Sequence, residues 1–351
     1  MKGTIRLFML ISVVLSALVL SMSVSAQEDM RDAMQETVER VAQEVIAQGN
    51  LDVIDEVYAE DFIDSTDGAN RDQLKQQLEL LNAAITNRTT STGPIVIEGD
   101  TAAFLFTLDG TFENPLIAPD GSGAIPPTGA PIHYEEHVWL RFNENGQIVE
   151  QWTFNDNLSL FQQLGLIPAP DMADDAMMAT EEAMMETTVE EPMATGMEDA
   201  NKETVLAHMQ SLHELTYDPA ADWLAPGFTH TNPLGTYDSA ALALVVQGLE
   251  FAFPDWNLVV EDQVAEGEWV MTRYYFTGTF TGTFVLADGT QIPGNGAAFE
   301  IPASLLTRFD EEGRIVAEWD MFDGMNYLTL VGLLDAGGGE ATGEPMATEE
   351  S

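Results

Sequence analysis

The chain has 351 residues, with 59 acidic side chains against 12 basic ones and a formal net charge of −47. That surplus repels nucleic acid and anionic membrane surfaces, so neither is an expected partner. Cysteine is absent, which excludes a disulfide framework and thiol chemistry and leaves packing alone to hold the fold.

The first 26 residues read as an export signal. Lys2 and Arg6 precede the apolar run LFMLISVVLSALVL, and Val24-Ser25-Ala26 offers small residues for cleavage before Gln27. The expected location is therefore secreted or periplasmic, with no membrane association after cleavage. About 325 residues then remain, more than one core usually takes, so two domains are expected. Only two lysines, Lys75 and Lys202, follow the leader. Such an acidic, lysine-poor surface suits a saline or acidic medium.

The first domain, 27–167, opens with Met34, Val38, Val41 and Val45 at helical spacing, stopped by Gly49-Asn50. Leu74, Leu78, Leu81 and Ile85 repeat that pattern in a later helix. Strand-like runs follow: TAAFLFTL, HYEEHVWLRF and QIVEQWTF. Residues 168–200 are a linker with ten acidic residues, seven methionines and no basic residue, which reads as a solvated spacer. The second domain, 201–335, repeats the order. Val205, Met209 and Leu212, then Leu242, Val245 and Leu249 behind a cap at Asp238, precede EWVMTRYYFTGTF, ASLLTRF and RIVAEW. An acidic tail, 336–351, closes the chain.

The two domains are copies. RFNENGQIVEQWTFND, from Arg141, and RFDEEGRIVAEWDMFD, from Arg308, share eight of 16 positions at a spacing of 167 residues. Gly165 and Gly332 keep that spacing, while the Gly-Thr-Phe at 110–112 and at 278–280 are 168 apart. Helices first and antiparallel strands after give an α+β plan, written twice. Alternation puts Ile148, Trp152, Phe154 and Asp156 on one strand face, with Ile315, Trp319, Met321 and Asp323 on the matching one. Each aspartate then either ends an apolar inward stripe as a desolvated acid–base group or caps the final helix. Both readings fit the sequence.

PPTG, G-x-I-V-x-x-W with an aspartate four residues beyond, Q-L-G in the first copy, and FPDW, EGE and GTFTG in the second resemble the SnoaL-like polyketide and ester cyclases of the NTF2-like superfamily. The resemblance implies two cone-shaped domains, each a curved antiparallel sheet wrapped around its N-terminal helices, with an internal pocket for a small apolar molecule. Relatives pair sheet to sheet, and a covalent tandem can reproduce that pair within one chain as a pseudo-dimer. The implied activity is acid–base cyclisation or isomerisation of a carbonyl compound; a non-catalytic extracellular binding protein is the alternative. The general acid–base role falls on Asp156 and Asp323, with His230 and Arg273 as further catalytic candidates. Trp152, Trp319, Asn232, His137, Phe112 and Phe280 are expected to line the pockets. At Phe112 and Phe280 the chain departs from the Gly-Thr-His of ester-cyclase-like relatives, which makes both pockets more apolar. No metal or cofactor is implied.

Overall fold

The computed structural model describes residues 28–117, 123–167, 196–285 and 290–334. Residues 1–26, which the sequence leads one to expect as an export signal, the tail 336–351 and most of 168–200 lie outside the described residues. In the first domain a helix, α1 (28–40), runs on into a π-helical turn, Val41–Ala47, whose Ala42 and Val45 are buried. Met34, Val38 and Val45 are fully buried, as their spacing requires of one inward stripe. After β1 (Tyr58–Asp64) comes α2 (Arg71–Ala84), started by a capping box in which the Asn70 side chain accepts from the Gln73 amide and Gln73 answers to the Asn70 amide. The helix stops one residue short of Ile85, which instead opens β2 (Ile85–Glu98).

Four more long or paired segments complete this domain: β3 (Thr101–Phe112), the small hairpin β4 (Leu116–Ile117) and β5 (Ala124–Ile125), β6 (Pro131–Phe142) and β7 (Ile148–Asn155). A short helix, α3 (Asn157–Gln163), follows. The sheet order is β1-β7-β6-β3-β2. All neighbours are antiparallel except β1 and β7, which run parallel because the chain between them passes through α2, the three long strands β2, β3 and β6 and the β4–β5 hairpin before returning.

The second domain repeats this path. It contains α4 (Glu198–His213), β8 (Leu224–Asn232), β9 (Gly235–Asp238), α5 (Ser239–Ala252), β10 (Asn257–Glu266) and β11 (Trp269–Thr279). Then come β12 (Thr283–Val285), β13 (Gln291–Pro293), β14 (Ala298–Phe309), β15 (Ile315–Phe322) and α6 (Gly324–Leu330). Its sheet order, β9-β8-β15-β14-β11-β10, is the first order with one strand added, and β8 again runs parallel to β15. The β6–β7 and β14–β15 turns end on Gly146 and Gly313, both at φ 73°, a left-handed conformation that a Cβ would strain. Each sheet stays open and curls its concave face over its own core, one built around Phe62, Phe104 and Phe112 and the other around Phe253, Phe280 and Phe309.

A third apolar cluster joins the opposite faces of the two sheets. Val96, Ala103, Leu105, Trp139 and Phe154 meet Val264, Met271, Leu306 and Met321, with Trp152, Trp269 and Trp319 packed alongside. Many of these are counterparts in the repeat, such as Val96 with Val264, Ala103 with Met271, and Phe154 with Met321. Polar contacts follow the same two-fold logic. Glu98 accepts from the Ala265 amide (2.9 Å) and its counterpart Glu266 accepts from the Ile97 amide (2.9 Å). At the centre, His137 Nδ1 donates to the carbonyl of its own counterpart, Ser304 (2.9 Å), and the Trp139 indole donates to Ser304 Oγ (3.0 Å). This is an isologous contact, in which matching patches face each other.

Candidate functional site

The second domain buries a cluster of polar side chains on its concave face. His230 on β8, Glu318 and Asp320 on β15, Tyr274 on β11 and His208 on α4 are all buried. One oxygen of Glu318 lies 3.0 Å from His230 Nδ1 and 3.3 Å from His208 Nε2. On the far side of the His230 ring, Nε2 stands 4.0 Å from Asp320 Oδ2. The Tyr274 hydroxyl completes the chain, 2.9 and 2.8 Å from the two oxygens of Asp320.

Burial disfavours every charge in this cluster, and the neighbours decide which charges survive. For Glu318, burial works upward, but the two histidines outweigh it and hold its carboxyl down to about 2. His230 feels burial working downward, yet the hydrogen bond to Glu318 and the nearby Asp320 leave it raised. Asp320 is pushed up by burial to about 6, against the opposing pull of His230 and Tyr274. Two carboxylates two residues apart thus separate into a fixed anion and a group that exchanges protons near neutrality, the pattern that marks acid–base assignments.

The first domain places a different set on the equivalent face. The Tyr58 hydroxyl donates to Gln151 (3.2 Å), and Gln151 donates to Asp64 (3.1 Å). Here Gln151 stands where the second copy has Glu318, Asp64 where it has His230, and Thr153 where it has Asp320. On β6, Tyr134 donates to Glu136 (3.1 Å). A groove of about 520 Å³, lined by Leu74, Leu78, Leu81, Leu116 and Ile125 among others, opens between α2 and the β4–β5 hairpin. It lies in the first domain, away from the histidine cluster.

The sequence-predicted residues fall into three places. His230 enters the second-domain cluster. His137, Trp152, Trp319 and Arg273 lie on the face between the domains. The Arg273 guanidinium sits 4.2 Å from the Trp152 ring centre and bonds Glu261 (2.7 Å), so its charge is spent on a cation–π contact and an ion pair. For Trp152 and Trp319 the cause is a bulge: Phe142 pairs with Ile148 but Arg141 with Glu150, and Phe309 pairs with Ile315 but Arg308 with Ala317. One extra residue, Val149 or Val316, reverses the alternation beyond it, so Ile148 and Ile315 point into the cores while Trp152 and Trp319 point out.

The remaining predicted residues serve the scaffold in this geometry. Asp156 accepts from the Leu158 and Ser159 amides and Asp323 from the Met325 and Asn326 amides, each capping the last helix of its domain. Asp323 also accepts from Asn157 across the interface (3.3 Å). Burial nevertheless raises Asp156 to about 6. Asn232 holds the β8–β9 turn through the Leu234 amide (2.9 Å). Phe112 and Phe280 are buried core side chains. Glu318, Asp320, Tyr274 and His208 are not among the sequence-predicted residues; two acids at i and i+2 within a buried strand are the signal by which the first pair could have been found.

The family model described as SnoaL-like polyketide cyclase matches twice, over residues 36–164 and 202–329. Solved structures similar to the chain include TsrD from Streptomyces laurentii, at 18% identity over 39% of this chain and 98% of that one, TM-score 0.35. AclR, titled a putative hydroxylase, from Streptomyces galilaeus is 24% identical over 39% and 98%, TM-score 0.33. IdmH, titled a putative polyketide cyclase, from Streptomyces antibioticus is 25% identical over 38% and 98%, TM-score 0.32. No curated protein matches the chain.

Proposed function

Because the chain belongs to the SnoaL-like polyketide cyclase family, we propose that its second domain cyclises or isomerises a small apolar carbonyl compound, with Asp320 as the proton-transfer group. The observation that carries this reading is the linked cluster Glu318–His230–Asp320–Tyr274. Asp320 as carboxylate takes a proton from the carbon beside a carbonyl. The released C–H pair becomes an enolate and closes a ring by forming a C–C bond to a second carbonyl carbon. The oxygen of that carbonyl takes up the displaced pair and a proton from His230, and the proton held by Asp320 then passes to His230, directly or through solvent, so both groups are restored. Glu318 serves by fixing the His230 ring and favouring its protonated form.

The test is deuterium exchange at the α-carbon of 2-tetralone in D₂O, followed by NMR. D320N is expected to lower the second-domain rate by about 10²-fold or more. A variant that keeps the full rate, with no loss in any arm, overturns the assignment. The apolar groove of the first domain favours a second reading, retention of a small apolar molecule without turnover. Native mass spectrometry of protein from its own host distinguishes this, since a carrier arrives with its ligand. Action outside the cytoplasm rests on residues 1–26 and is tested by fractionation of the producing cells. The counterpart contacts between the sheets support the reading that the two domains work as an intramolecular pseudo-dimer.

A further inference from the structure

The two interiors differ by a paired exchange. On β15 the second copy carries Asp320, where the first carries Thr153; on β6 the first copy carries Glu136, where the second carries Ala303. A carboxyl lost from one strand is regained on its neighbour. Glu136 lies between Tyr134 and Val138 in the alternation of β6, and both of these pack on the first core, so it points to the concave side. It stands in register with Phe106 on β3 and Asn155 on β7. The phenol partner moves with it. Tyr274 reaches Asp320 from β11, whereas its counterpart there is Phe106, and Tyr134 reaches Glu136 from two residues away on the same strand (3.1 Å).

We propose that the first domain is a second, independent acid–base site, in which Glu136 transfers protons and Tyr134 positions its carboxyl, acting on small uncharged carbonyl compounds. The groove between α2 and the β4–β5 hairpin is lined by Leu78, Leu81, Leu116 and Ile125, which pack on the same core as Tyr134. Among the described residues, the other charged or titratable groups of this interior are Asp64, Asp156 and Tyr58. Burial, ahead of the pull from Tyr134 and the repulsion of Asp64, holds Glu136 up at about 7. Tyr134, pushed far upward by burial, stays a neutral phenol. The step balances without a co-reactant. Glu136 takes the α-proton, the C–H pair becomes the enolate π bond and the carbonyl pair moves onto oxygen. Glu136 exchanges that proton with solvent and delivers one back to carbon, at the original position or at a conjugated one.

The experiment uses the full mature chain and 2-tetralone exchange in D₂O, with D320N, E136Q, Y134F and the E136Q/D320N double variant. D320N is expected to retain exchange that rises with a midpoint near pH 7. The double variant should lose that remainder by about tenfold or more. Y134F should keep exchange but move its midpoint, which a merely structural tyrosine would not do. Exchange that falls to the buffer rate in D320N while E136Q alone stays unaffected overturns this site and leaves the second-domain reading standing. Sensitivity to E136Q alone does the reverse. Wild-type protein that exchanges no faster than buffer overturns both. Infrared titration of the carboxyl that disappears in E136Q adds an independent reading, and a midpoint in the ordinary carboxylate range also overturns the proposal.

Discussion

Two histidines face a single oxygen of Glu318, and this arrangement fixes what each acid of the second domain can do. Replacing Glu318 with glutamine removes the buried anion that raises His230. The His230 midpoint in an NMR titration should then fall, and the rate should lose its dependence on protonated histidine. An unchanged midpoint would show that His230 does not feel Glu318. Asp320 carries the opposite sign. Burial raises its folded pKa from the ordinary 3.8 to about 6, so the fold gains from its protonated form below about pH 4 and loses that gain as pH rises through 6. Two units correspond to about 3 kcal/mol at most. D320N should therefore raise the melting temperature at pH 8 and leave it nearly unchanged at pH 4, while lowering activity. Stabilisation at both pH values alike would mean that the charge is not the cause.

Among the elements, the bulge in β7 and β15 decides which side chains face each domain's core and which face the other domain. Strict alternation through RIVAEWDMFD puts Trp319 inside and Asp320 outside; the extra residue at Val316 exchanges them. The repeat, the helix stripes, most strands and the domain order were legible because they rest on periodicities of many residues. The site was not, because a single-residue slip carries no periodic signal of its own. Strand β2 was missed for a related reason. Its TNRTTST run at the sheet edge carries no large apolar side chain, and two breaks in its register with β3 erase any alternating pattern. Deleting Val316 should turn Glu318 and Asp320 onto the interdomain face among Trp139 and Leu306. Cooperative thermal unfolding of the second domain should be lost, whereas a chain that still melts cooperatively with active Asp320 would show that the strand tolerates either register. The caps weigh less: D323A should cost about 1 kcal/mol in chemical denaturation, with a further small loss from Asn157.

For the whole molecule, the question is what holds the two sheets together in a chain of net charge −47. Ion pairs cross the boundary at Arg31–Glu266 and Lys202–Glu98, but Arg31 and Glu98 are about two-fifths exposed, so each pair contributes at most about 1 kcal/mol and less in salt. The apolar cluster is different in kind. Trp139 is fully buried there, and removing a buried tryptophan side chain costs about 3–5 kcal/mol. Salt strengthens such burial while it screens the repulsion between two acidic domains. A protease site placed between residues 168 and 195 should then yield two halves that stay together on gel filtration, and more firmly at high salt than at low. The melting temperature of the intact chain should rise over the same salt series. If the cleaved halves separate as salt is added, the ion pairs and not the tryptophan cluster carry the contact, and the pseudo-dimer exists only as long as the linker holds it.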